Sequence, residues 1–206
     1  ARDRVELVPG VSRIYHAGDP AADGVMEGAQ ALSEALAAMP AEPVPDEISG
    51  FHMIYSSGTT GRPKGVVLPF TPGPIDEFNA LEGAMPIYQQ LKPLVSLNVG
   101  PLYHGAPLSG MVTAQRLGGL FVTQRKFDAE GVLAAIERFG VGVAQFVPTM
   151  FVRMLALPDE ARAKYDLSSL RLAIHAAAPC PVEIKRRMIE WWGPIIFEYY
   201  GSTEGV

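Results

Sequence analysis

The 206-residue sequence holds a single cysteine, Cys180, so no internal disulfide can form and the chain suits a reducing cytosol. It also lacks any apolar run long enough to cross a bilayer, which limits membrane contact to the periphery. Residues 1–10 carry Arg2, Asp3, Arg4 and Glu6 in place of the apolar core of a secretory leader. Basic charge is scarce: 17 Lys and Arg stand against 22 Asp and Glu, for a formal net charge of -5, and no stretch concentrates cations. A general field for nucleic acid or anionic lipid is therefore excluded, and any phosphate must be gripped locally.

What is present points to a folded chain. Hydrophobic residues make up 48% and charged residues 19%, enough apolar material for one globular domain or a large part of one. From about residue 51, short runs rich in β-branched and aromatic residues alternate with longer segments of helical period. That alternation predicts an α/β fold, layered sheets flanked by helices, with a largely parallel sheet. The strands expected are Phe51–Tyr55, Gly65–Leu68, Leu94–Val99, Gly119–Val122, Val141–Val147, Arg171–His175 and Ile195–Tyr199. The clearest helix is Asp128–Phe139, with Asp128 as cap, an apolar stripe of Val132, Leu133, Ile136 and Phe139, and Gly140 as stop. A second, Pro181–Trp192, has proline in its first turn and Gly193 beyond its end. The proline- and acid-rich residues 41–47 divide an opening segment, residues 1–50, from the main body, residues 51–206. In that opening segment a strand is expected around Val11–Tyr15 and a helix around Gly28–Met39.

The most informative stretch is SSGTTGRPKG, residues 56–65, lying between two expected strands. Gly58, Gly61 and Gly65 free the backbone to bring several N–H groups onto one anion. Ser56, Ser57, Thr59 and Thr60 add hydroxyls, and Lys64 adds a point charge. The same residues also suit a plain surface turn. The common P-loop pattern is excluded, because Gly65 rather than Ser or Thr follows the lysine. Three further segments follow in order: GPLYHGAP at 100–107, HAAAPCP at 175–181 and EYYGSTEG at 198–205. Alone, His104 reads equally as a hydrogen-bonded structural residue, and the alanines as a tight core turn. Cys180, between two prolines and without a histidine at motif spacing, reads as a packing residue.

Taken together, YSSGTTGRPKGV and these three segments resemble the signature motifs of the adenylate-forming superfamily, which holds acyl-CoA synthetases, coumarate-CoA ligases, luciferases and peptide-synthetase adenylation domains. The resemblance covers roughly residues 51–206 and implies part of the large N-terminal domain of an acyl-CoA synthetase-like fold. It implies that Ser56, Ser57, Gly58, Thr59, Thr60, Gly61 and Lys64 wrap the outer phosphates of ATP. His104 would close over the carboxylate end of the acid, and Ala176, Ala177 and Ala178 would line the adenine and acyl channel, although the family has glycine where His175 and Ala176 stand. In the last motif, Glu198, Tyr199, Tyr200 and Gly201 would flank the nucleotide, with either Tyr200 or Tyr199 against the adenine. Thr203 would bond the α-phosphate and Glu204 would hold Mg²⁺, roles that suit a hydroxyl and a hard carboxylate.

The activity implied is ATP-dependent conversion of a carboxylic acid, of fatty or steroid type, to an acyl-adenylate and then to a thioester with coenzyme A. Delivery to a carrier protein and a non-catalytic nucleotide-binding module are the alternatives. The partners implied are small molecules only, with a homodimer left open. Family members continue past the last motif with a small mobile lid domain carrying a lysine for adenylation. The 206 residues alone are therefore expected to be a fragment that binds nucleotide weakly and turns over little.

Overall fold

Val95–Asn98 and Leu172–His175 are buried at all four positions, the mark of strands covered on both faces. The computed structural model describes residues 15–16, 24–25, 28–43, 45, 47–50, 53–56, 62–67, 71–74 and 86–202. Its strands are β1 (Tyr15–His16), β2 (Gln30–Ala31), β3 (Ile54–Ser56), β4 (Lys64–Val66), β5 (Val95–Asn98), β6 (Leu120–Thr123), β7 (Val143–Phe146), β8 (Leu172–His175) and β9 (Ile196–Glu198). Its helices are α1 (Leu32–Ala37), α2 (Pro86–Gln90), α3 (Gly105–Arg116), α4 (Ala129–Phe139), α5 (Pro148–Leu155), α6 (Asp159–Ala163) and α7 (Val182–Trp192). No helix among the described residues is long and apolar enough to cross a membrane.

The chain divides into two compact units, Ala1–Glu47 and Ile48–Val206. In the first, β1 pairs parallel with β2, and α1 follows directly. The helix expected over Gly28–Met39 is therefore shorter, because Gln30 and Ala31 are drawn into the strand pair and Gly28 takes a positive φ of 79°. Residues 11–14 of the strand expected there lie outside the described residues.

In the second unit, β5 to β9 form one parallel sheet in the order β6-β5-β7-β8-β9. The largely parallel sheet read from the alternation is thus present. The first two expected strands instead form a separate antiparallel hairpin, with Ser56 opposite Lys64. Nearby, Ser49 Oγ donates to the carbonyl of Gly73 at 3.0 Å and the Gly73 N–H donates back at 3.2 Å, tying residues 48–50 to 71–74.

Helices cover both faces of the sheet. On one, Val132 and Ile136 of α4, Phe151 and Met154 of α5 and Met188 of α7 pack on Val95, Leu97, Ala144, Phe146 and Ala173. On the other, Tyr88 of α2 and Ala114 of α3 meet Leu94, Val143, Leu172 and Ile174. The turn from α3 to β6 needs both of its glycines: Gly118 has φ +68°, and a Cβ on Gly119 would lie 2.7 Å from the carbonyl oxygen of Leu94.

The clearest expected helix forms as its caps dictate. Asp128 Oδ2 accepts from the Gly131 N–H at 2.8 Å, and Gly140 closes the helix at φ 61°. Phe139 departs from the expected buried stripe; it lies at the exposed edge with the Arg138 guanidinium 5.0 Å from its ring centre. In α7 proline takes the capping position itself, at Pro181. Replacing Asp128 with alanine is expected to cost about 1 kcal/mol. In a domain of this size that lowers Tm by about 2–4 °C, which a thermal melt checks.

Candidate active site

Every parallel strand ends at the same edge of the sheet, and the sequence motifs follow those ends. His104 comes after β5, Ala176–Ala178 after β8, and Tyr199 and Tyr200 after β9. The chain runs from β5 through α3 to β6 on one side, then through α4 to β7 on the other side of β5. The carboxyl ends of strands whose connections diverge in this way, here β5 and β7, are where open α/β sheets bind ligands.

His104 stands at the N-terminal end of α3, in extended conformation (φ -90°, ψ 146°), and its side chain makes no capping bond. It is exposed, with the Tyr103 ring centre 4.6 Å from its own. The hairpin reaches this loop: a Cβ on Gly105 would lie 2.6 Å from Cδ1 of Ile54 in β3. Ser56 and Lys64, the ends of the glycine-rich stretch, therefore sit on a hairpin in contact with the start of α3, with the Lys64 side chain exposed. Ser57, Gly58, Thr59, Thr60 and Gly61 lie outside the described residues, as do Thr203 and Glu204.

After β8, Ala176 is buried and Ala177 and Ala178 are exposed. Ala177 has φ 72°, the sole non-glycine in the left-handed region among the described residues. That conformation is a local cost the sequence did not signal, held by the turn that Pro179 and Pro181 follow. Cys180 is half-buried against the core, and burial raises its thiol pKa, in line with a packing role.

The two tyrosines left open as alternatives have different surroundings. Tyr199 turns into the sheet face covered by α2 and α3, and its hydroxyl accepts from Gln145 Nε2 at 3.3 Å. Tyr200 is 96% exposed. Glu198 is already engaged: its carboxylate pairs with Lys185 Nζ, and this bond holds its pKa below the usual range. Gly201 is exposed at the strand's far end.

His175 ends β8 fully buried, with no hydrogen-bond partner at either ring nitrogen. Its Nδ1 is 3.8 Å from Glu198 Oε1, and its ring meets Phe151 edge-on, 5.3 Å between centres. Burial lowers its pKa below 6.5; Glu198 opposes this, and Lys185 adds to it. The unfolded chain thus takes up this proton at a higher pH than the folded one. Stability should therefore be present above the ordinary histidine value and fall as pH drops through about 6.5. Melts at about pH 7.5 and 5.5 should show a smaller loss in His175→Leu than in the parent, and equal losses would refute the assignment.

Sequence reasoning missed Asn98, Gln145 and Lys185. Asn98 is 2% exposed and donates from Nδ2 to Gln145 Oε1 at 2.7 Å. A polar residue inside an apolar strand run was the available signal for the first two. Among the described residues, no group of three His, Cys, Asp or Glu could hold a metal ion.

The model of the AMP-binding enzyme family matches residues 3–206. The chain belongs to the AMP-binding enzyme family. Over 98% of its length it is 32% identical to 4-coumarate-CoA ligase 1 of Narcissus pseudonarcissus, covering 37% of that protein. It is 34% identical to the putative acyl-CoA synthetase YngI of Bacillus subtilis (strain 168), across 77% of this chain and 28% of that one. Among solved structures, the Brucella canis acyl-CoA synthetase superposes with a TM-score of 0.74 at 27% identity, over 98% of this chain and 37% of that one. The Bacillus subtilis O-succinylbenzoate coenzyme A synthetase in complex with AMP matches 74% of this chain and 30% of its own, with a TM-score of 0.57 at 25% identity. The chain therefore spans little more than a third of the first of these relatives. The first two of these relatives are named as enzymes that join an acid to coenzyme A, the second of them only putatively.

Proposed function

We propose that the chain supplies the ATP- and acid-binding core, residues 51–206, of an enzyme that adenylates a carboxylic acid and transfers the acyl group to coenzyme A, with the lid domain lying beyond these residues. The observation that carries this reading is one edge of one sheet. There the His104 loop, the Ala176–Ala178 turn and Tyr199 and Tyr200 all follow carboxyl ends of parallel strands, with the Ser56–Lys64 hairpin against the first of them.

The chemistry asks for positioning and charge neutralisation more than for covalent help. The acid's carboxylate attacks the α-phosphorus of ATP and pyrophosphate leaves. Lys64 and the 56–61 loop hold the departing pyrophosphate, and Thr203 donates to the α-phosphate oxygen on which charge builds. His104 meets the acid's carboxylate beside the N-terminus of α3, a position that favours an anion. Glu204 would hold Mg²⁺, its carboxylate being the hard oxygen ligand this ion takes. The metal when bound neutralises phosphate charge. Tyr200, being exposed, is the ring offered to adenine, while Tyr199 supports it from inside. Tyr200→Ala is expected to weaken nucleotide binding about tenfold, the scale of one base–aromatic stack, as read by calorimetry with ATP.

For the acid, a fatty or steroid-type substrate follows from the motif resemblance. The relatives named for 4-coumarate favour an aryl-propenoic acid as the second reading. ATP and coenzyme A as co-substrates imply the cytosol. The test uses the full-length protein with octanoate, cholate and 4-coumarate, following ATP–pyrophosphate exchange and then acyl-CoA by mass. Exchange with thioester formation supports the reading. Exchange without thioester points to another acceptor, and ATP binding without exchange for any acid favours a non-catalytic module.

A further inference from the structure

We infer that Asn98, Gln145 and Tyr199 form a positioning relay that couples the acid-binding loop to the nucleotide-binding turn, an inference resting on the function proposed above. The register sets Asn98 of β5 beside Gln145 of β7 and Gln145 beside Ile174 of β8. On this sheet face they lie among buried apolar residues, Val143, Leu172, Ile174 and Ala114, with Ser96 beside them. Two amides in such a layer cost free energy unless each polar atom is paired.

They are paired, and in one direction. The Gly100 N–H donates to Asn98 Oδ1 at 2.9 Å, which assigns that atom as the oxygen and leaves Nδ2 to donate to Gln145 Oε1 at 2.7 Å. Gln145 Nε2 then donates to the Tyr199 hydroxyl at 3.3 Å, reaching past the end of β8. The Tyr199 N–H in turn donates to the carbonyl of His175 at 3.4 Å.

The Asn98 end of this chain of bonds is tightly held. A Cβ on Gly100 would lie 2.9 Å from Cγ of Pro107, so the loop leading to His104 has no slack against α3. A Cβ on Gly110 of α3 would lie 3.7 Å from both Asn98 Nδ2 and Gln145 Oε1, so the helix that His104 begins rests directly on the amides. At the far end, Tyr199 immediately precedes exposed Tyr200. A displacement of the Gly100–His104 loop on engaging an acid must therefore strain the amides or move Tyr199, and Tyr200 with it. Leucines at 98 and 145 would fill the layer without that linkage.

The linkage is read as a coupling factor in the full-length protein. Affinity for α,β-methylene-ATP is measured by calorimetry with and without whichever of octanoate, cholate or 4-coumarate gives the fastest pyrophosphate exchange. The parent should show a factor of about 5 or more between the two affinities. Gln145→Leu, Tyr199→Phe and the double variant should each bring it below about 2, the two affinities being compared within each variant. The double variant should be no worse than either single one, as for members of one unit. Tyr199→Phe deletes a single oxygen and decides the matter should Gln145→Leu not fold. A parent factor near one, a factor surviving in Tyr199→Phe, or losses that multiply in the double variant overturn the relay while exchange persists. A parent that exchanges pyrophosphate with no acid overturns the proposed function and the relay together.

Discussion

Lys64→Ala should lower ATP–pyrophosphate exchange by the full-length protein about 10²- to 10³-fold, the usual cost of losing one donor aimed at developing charge. The side chain is exposed on β4 opposite Ser56, so it has no structural duty in the described hairpin that its loss would disturb. Thermal stability should therefore stay near that of the parent, separating a lost charge from a lost fold. Arginine should restore only part of the rate, since its planar fork differs from the compact ammonium group. Exchange within about threefold of the parent in Lys64→Ala would remove the phosphate role from this hairpin.

Phe151→Ala should be the most destabilising single truncation. Phe151 is fully buried, and three rings surround it: Phe146 at 5.4 Å, His175 at 5.3 Å and Trp192 at 6.1 Å between centres. These join α5 and α7 to the ends of β7 and β8, so the vacated volume has no single neighbour able to fill it. The expected cost is about 3–5 kcal/mol, and the melting temperature should fall by on the order of 10 °C. The edge-on contact with His175 adds a second consequence. Opening the cavity gives water a route to a ring now held neutral by burial, so the drop in stability below about pH 6.5 should lessen in the variant. A melt within about 2 °C of the parent would show that this aromatic cluster is not the junction described.

The sequence by itself determined the kind of fold and the order of the motifs. Alternating β-rich runs and capped helices yielded the seven strands found among the described residues of the second unit, because period and capping are local properties that burial later reinforces. The roles proposed for the glycine-rich stretch, His104 and the Tyr-Gly-x-Thr-Glu segment came from the resemblance of these segments to family motifs, since each segment alone also suits a structural part. Strand order, by contrast, is a long-range choice that no local pattern encodes. That order separates the 54–66 hairpin from the parallel sheet and puts the reversal of connection direction at β5 and β7. It also decided which tyrosine is free: neighbouring residues leave a strand on opposite faces, so the pleat sent Tyr199 inward to Gln145 and left Tyr200 outside. The burial of His175 and the pairing of Asn98 with Gln145 likewise depend on register between strands far apart in the chain, which only the folded sheet supplies.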